Sequence, residues 1–137
     1  EINDSAFKVT LQAGQALPVN ADRELLWRTF ENLLRNAIVH SGEEPSIVIT
    51  AERHSKTGVR VCVSDSGPGI PEPHIGRIFE PFYRVDEARN RASGGHGLGL
   101  AIAASAVRRH GGTISAVNRD KTGLDVIVTL PENLSGS

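Results

Sequence analysis

The stretch "GGHGLGLAIAASAVRR", Gly94 to Arg109, places four glycines within six residues and runs straight into an alanine-rich segment of good helix propensity. Glycine loses more conformational freedom on folding than any other residue, so such a cluster needs a reason. A glycine-rich loop opening a helix presents unpaired backbone N–H groups and the positive end of the helix dipole, together a natural anion site. Gly95, Gly97 and Gly99 are spaced G-x-G-x-G. A phosphate-loop NTPase needs G-x-x-x-x-G-K-[ST], which is nowhere in the chain. A dinucleotide or protein-kinase loop needs G-x-G-x-x-G, and position 100 is leucine. The stretch therefore fits phosphate cradling without the familiar loops, and it equally fits a flexible loop before a tightly packed helix.

Around this stretch the chain reads as one α+β domain. Its 137 residues can bury a real core, and a net charge of −1 gives no electrostatic case for nucleic acid. No apolar run approaches the roughly 20 residues of a membrane helix, and no signal peptide is visible. The single cysteine, Cys62, excludes an internal disulfide framework and points to a reducing, cytosolic-type compartment. The start at Glu1, with no methionine, suggests a piece of a longer chain. Alternation predicts strands at residues 5–11, 46–53, 59–65, 112–118 and 124–130. A helix is expected from an Asp22 N-cap to about Val39, with Leu26, Phe30, Leu33, Leu34 and Ala37 at helical spacing. A short helix is expected near Glu72–Ile78 and the glycine-led one over about Leu98–His110. Strands grouped around helices predict a two-layer α/β sandwich, with helices packed on one face of a mixed five-stranded sheet.

Three further stretches carry candidate chemistry. In "SDSGPGIP", Ser64 to Pro71, an apolar strand ends in Asp65, followed by Gly67 and Gly69. A carboxylate there can accept a hydrogen bond from an exocyclic amine such as adenine N6, while the glycines let a ligand approach the backbone. The same residues are also ordinary turn chemistry. In "ENLLRNAIVH", Asn32 and Asn36 are one helical turn apart, about 40° around the axis and away from the apolar stripe. Two amide oxygens suit Mg²⁺, which keeps most of its waters and takes few protein ligands. A solvated polar face is the plainer reading. "FEPFYR", Phe79 to Arg84, gathers three aromatics beside a proline and an arginine, either as an anchor for the loop or as a patch for a partner.

In this order the four stretches resemble the catalytic ATP-binding domain of sensor histidine kinases, within the superfamily of gyrase, Hsp90 and MutL ATPases. The match runs from about Ala21 to Leu130, and "FYRVDEARNRASGGHGLGLAI" is similar to envelope-stress sensor kinases of the Cpx type. The resemblance implies the Bergerat ATP-binding fold, with a core over about 5–131 and a mobile ATP lid over about 85–97. It implies that Asp65 binds the adenine amine, with Gly67, Gly69 and Ile70 shaping the pocket. It makes Asn36 the principal Mg²⁺ ligand, assisted by Asn32, and brings Arg84 to the terminal phosphates. Gly95, Gly97 and Gly99 become the lid hinge, with Leu98 at the helix end facing the phosphates.

Two positions depart from the family pattern. Val39 stands where lysine or arginine is common, so Arg35 or Arg91 is the candidate substitute. His40 stands where tyrosine is common; its ring can stack on adenine or be incidental. In the hydrolases of the superfamily, and in anti-sigma-factor serine kinases, a glutamate occupies the Asn32 position. Asparagine cannot take a proton at neutral pH, so weak hydrolysis by this domain alone is expected.

The implied activity is transfer of the ATP γ-phosphoryl group to a histidine, and thence to a response regulator. None of the five histidines has the family's His-Glu acceptor context, so the acceptor is expected on a separate dimerisation domain, preceding Glu1 in the parent protein. The resemblance further implies a monomeric piece of a homodimeric parent, tethered to the bacterial inner membrane with this domain in the cytoplasm. An anti-sigma-type serine kinase and a non-catalytic nucleotide sensor are the alternatives.

Overall fold

The computed structural model describes residues 8–13, 23–41, 46–55, 58–83, 99–120 and 122–131. They form an α+β fold. Five strands, β1 (Lys8–Ala13), β2 (Ser46–Ser55), β3 (Gly58–Ser64), β4 (Thr113–Asn118) and β5 (Leu124–Pro131), lie in one sheet in the order β1-β2-β3-β5-β4. β1 runs parallel to β2, from Lys8 opposite Ser46 to Ala13 opposite Ala51, and the crossover between them contains α1 (Arg23–His40). The other four strands pair antiparallel.

Strand alternation decides which face is covered. In β5, Leu124, Val126, Val128 and Leu130 are buried, and Val59 and Val63 of β3 and Ile47 of β2 point the same way. Onto that face pack Leu33 and Ala37 of α1, and Ala103 and Val107 of α3 (Gly99–Arg109). Leu26, Phe30, Leu34 and Ile38 flank this contact, so the helical stripe in the sequence is the buried stripe. Thr29 is fully buried on α1, and its hydroxyl donates to the Leu25 carbonyl at 2.9 Å, which removes the penalty of an unpaired polar group. Alanines at 103, 104 and 106 keep α3 slim enough to lie close against its neighbours.

α3 ends in a Schellman motif. Gly111 takes φ +79° and donates to the Arg108 carbonyl, while Gly112 donates to the Val107 carbonyl at 2.9 Å. This satisfies the last carbonyls and turns the chain directly into β4. Leu33→Ala should destabilise the domain by about 2–5 kcal/mol, because the side chain is 1% exposed in the core and its removal leaves a cavity there. Urea unfolding monitored by circular dichroism measures this.

The short helix departs from the sequence expectation. α2 covers only Glu72–Ile75, after Pro71. Beyond it the chain continues to Tyr83 in turns closed three residues back, from Arg77 to His74, Glu80 to Arg77 and Tyr83 to Glu80. Gly76, the weakest helix former available apart from proline, stands where the α pattern gives way. Within these turns Phe79 packs on the core, while the Tyr83 hydroxyl hydrogen-bonds the His74 ring. The Arg77 guanidinium sits 4.5 Å above the Tyr83 ring and also pairs with Glu80. Phe82, held at φ +66°, is turned outward and 69% exposed. Two of the three aromatics are thus anchors, and one is left on the surface.

Among the described residues no helix is long and apolar enough to cross a membrane. Cys62 is a free thiol whose pKa burial pushes up.

Candidate functional site

Asp65 lies one residue beyond β3 and is 4% exposed. A carboxylate in such a place needs donors, and it has two. The backbone N–H groups of Gly67 and Leu124 reach its Oδ1 at 2.9 and 3.3 Å. Both bonds fall on the same oxygen, so among the described residues Oδ2 keeps its capacity to accept. Burial pushes the Asp65 carboxyl above its ordinary 3.8, and the nearby Asp125 charge adds to this. The two backbone N–H bonds and Arg119 pull the other way, without cancelling the rise.

This shift has a consequence for stability. Because the folded-state pKa lies above the unfolded one, the folded protein binds the proton more tightly. The stabilisation by protonation is complete below about pH 3.8 and is lost as pH rises through the folded value. An uncharged Asp65→Asn variant lacks this loss. Its stability relative to the unchanged protein should therefore rise as pH increases through that window, read from urea midpoints at a series of pH values. A difference that stays flat with pH contradicts the assignment.

The loop after Asp65 is held from the β4–β5 turn. Gly67 is buried, and its carbonyl accepts the Thr122 hydroxyl at 2.7 Å. Gly69 takes φ +84°, and a Cβ there would stand 2.6 Å from Asn118 Oδ1. Ile70 is 7% exposed and belongs to the hydrophobic core. Its N–H donates to Asn118 Oδ1 at 2.8 Å, and its carbonyl accepts from Asn118 Nδ2 at 2.7 Å. Asn118 and Thr122 are absent from the sequence reading, since each acts on partners far away in the chain.

Asn32 and Asn36 are both partly buried on α1. Asn32 Oδ1 faces the first turn of α3, 3.7 Å from where a Cβ on Gly99 would stand. Gly99 of the glycine stretch and Asn32 are therefore neighbours across the α1–α3 contact. Among the described residues no group of three or more His, Cys, Asp or Glu could hold a metal. Neutral amide oxygens do not make a cage, but they fit Mg²⁺, which takes its other oxygens from phosphates and water.

Arg84, Arg91, the lid, Gly95, Gly97 and Leu98 lie outside the described residues, as does the His40 side chain. His74 and His110 are both engaged internally, His74 with Tyr83 and His110 Nδ1 with the Ala106 carbonyl at 2.7 Å.

The family model described as "Histidine kinase-, DNA gyrase B-, and HSP90-like ATPase" matches residues 21–134. The Escherichia coli K12 signal transduction histidine-protein kinase BaeS is 39% identical over 91% of this chain, which spans 27% of BaeS. The sensor histidine kinase CpxA of the same strain is 36% identical over 96%, and this chain spans 30% of it. The chain thus covers under a third of either relative. Among solved structures, the mycobacterial sensor histidine kinase MprB superimposes with TM-score 0.81 at 27% identity, over 95% of this chain and 87% of that one. Full-length ShkA, solved in complex with AMPPNP, matches with TM-score 0.77 at 26% identity, over 93% of this chain and 26% of that one. The kinase ThkA, solved with the response regulator protein TrrA, matches with TM-score 0.76 at 33% identity, over 96% of this chain and 36% of that one.

Proposed function

Because the chain belongs to the histidine kinase-, DNA gyrase B- and HSP90-like ATPase family, with sensor histidine kinases as its relatives, we propose that it is the catalytic module of a two-component sensor kinase. It binds ATP with Mg²⁺ in a Bergerat-type pocket and transfers the γ-phosphoryl group to a histidine on a separate dimerisation domain. The buried Asp65 carboxylate carries this reading, since its Oδ1 is occupied by backbone N–H groups and, among the described residues, its Oδ2 remains to accept an amine. Guanine presents a carbonyl at the corresponding position, which a carboxylate repels.

The remaining roles follow from chemistry. Asn36, assisted by Asn32, holds Mg²⁺, whose positive charge offsets that of the triphosphate. Gly95, Gly97 and Gly99 bring backbone N–H groups to the phosphates, Leu98 lies at the helix end beside them, and Arg84 approaches the terminal phosphate. His40 stacks on the base. Positioning and charge stabilisation supply most of the catalysis in phosphoryl transfer, and no proton acceptor is needed from Asn32. The internal engagement of His74 and His110 agrees with an acceptor outside this domain. The neighbours solved with AMPPNP and with a response regulator support the nucleotide and the downstream partner. The parent protein is a homodimer anchored in the bacterial inner membrane.

Incubating the domain with ATP, Mg²⁺ and a separately produced dimerisation domain should yield acid-labile, base-stable phosphohistidine on the latter. Acid-stable phosphoserine, or no label despite ATP binding, would overturn the transfer reaction.

A further inference from the structure

From the three links that join the β4–β5 turn to the loop after Asp65, we infer that Asn118 and Thr122 are positioning residues for base selection. The inference deepens the proposed nucleotide reading and rests on it. A carboxylate discriminates adenine from guanine only if the base enters at a fixed depth and angle. The loop that would line this entry, residues 65–70, follows the last residue of β3, and beyond the backbone pair of Asp65 with Leu124 it is no longer paired as a strand. What continues the pairing is the Asn118 side chain. Its amide offers Oδ1 to the Ile70 N–H and Nδ2 to the Ile70 carbonyl, as a neighbouring strand would. Its Nδ2 also reaches Glu72 Oε2 at 3.0 Å, tying the loop to the start of α2.

Thr122 makes the second link, donating to the Gly67 carbonyl. The third is the backbone pair at Asp65 itself, whose N–H donates to the Leu124 carbonyl at 3.0 Å while Oδ1 accepts from the Leu124 N–H. Asp65, Gly67 and Ile70 are thus each hydrogen-bonded to one hairpin. The contact needs a donor and an acceptor on one side chain, which the Asn118 amide supplies. Aspartate lacks the donor and would face both the Ile70 carbonyl and Glu72, and leucine offers neither group.

The test measures Mg·ATP and Mg·GTP affinity by calorimetry, well below each variant's melting temperature, for the unchanged domain and for Asn118→Asp, Asn118→Leu, Thr122→Val and Thr122→Ser. Asn118→Asp and Asn118→Leu should weaken ATP binding by about tenfold with GTP binding little changed, so that discrimination falls. Thr122→Val should lower discrimination about threefold, and Thr122→Ser should restore it, because serine keeps the hydroxyl. A lowered melting temperature with unchanged ATP-over-GTP preference in the folded variants overturns the inference, as do equal losses for both nucleotides. If the Asn118 variants do not fold, the Thr122 pair decides alone. An unchanged domain with no ATP preference overturns the nucleotide reading itself, a result distinct from a preference that survives every substitution.

Discussion

Asp65→Asn is expected to weaken ATP binding by about ten- to a hundredfold while leaving the domain folded. The asparagine is isosteric, and its Oδ1 can still accept from Gly67 and Leu124, so the two backbone bonds that hold the loop survive. What changes is the second arm of the side chain. An NH₂ group replaces the accepting Oδ2 and faces the adenine amine, setting donor against donor. Loss of a hydrogen bond to a charged group is worth about 1.5–3 kcal/mol, which converts to the stated range. The same substitution removes a charge that burial disfavours, so stability should be unchanged or higher at neutral pH. Function and stability thus move in opposite directions at one position. Calorimetric titration beside thermal unfolding tests this. Unaltered affinity, or a loss that follows unfolding, removes Asp65 from the site.

Gly123→Ala should be the most damaging single-methyl addition near the site, costing roughly 2–5 kcal/mol. Gly123 is buried at φ +107°, where an L side chain is strained in any surroundings. The surroundings are also closed. A Cβ would stand 2.2 Å from the Asp65 carbonyl oxygen and 2.9 Å from Arg119 Cδ. Arginine can swing aside; the Asp65 carbonyl cannot, because it belongs to the turn that aims the carboxylate. Relief requires the hairpin to move off the loop, so ATP affinity should fall together with the urea midpoint. An alanine variant of ordinary stability shows that the close approach is not required.

The covered faces of this fold are legible in the sequence because they depend on short periods. Leu26, Phe30, Leu33 and Ala37 lie where a repeat of 3.6 residues puts them, and Val59, Val63, Val126 and Val128 where alternation does. Asp65, Gly67 and Gly69 are legible as a strand end and a turn, and the structure places Asp65 among backbone donors. Asn118 and Thr122 are not legible. They lie 48 and 55 residues from the groups they bind, and "NRDKTG" by itself spells only a hairpin turn. Gly123 hides likewise, since nothing local shows that the Asp65 backbone passes against it. The helix expected near Glu72–Ile78 ends at Ile75, where Gly76 follows and the α pattern gives way. The chain keeps Ile78 and Phe79 against the core through tight turns instead.

A purine-selecting carboxylate beside a metal–triphosphate is tested most directly by titrating the unchanged domain with Mg·ATP and with Mg·GTP in parallel. A measurable heat with ATP is expected, with at least about tenfold weaker binding of GTP, the equivalent of one lost hydrogen bond. Equal affinities, or no heat with ATP, would contradict it.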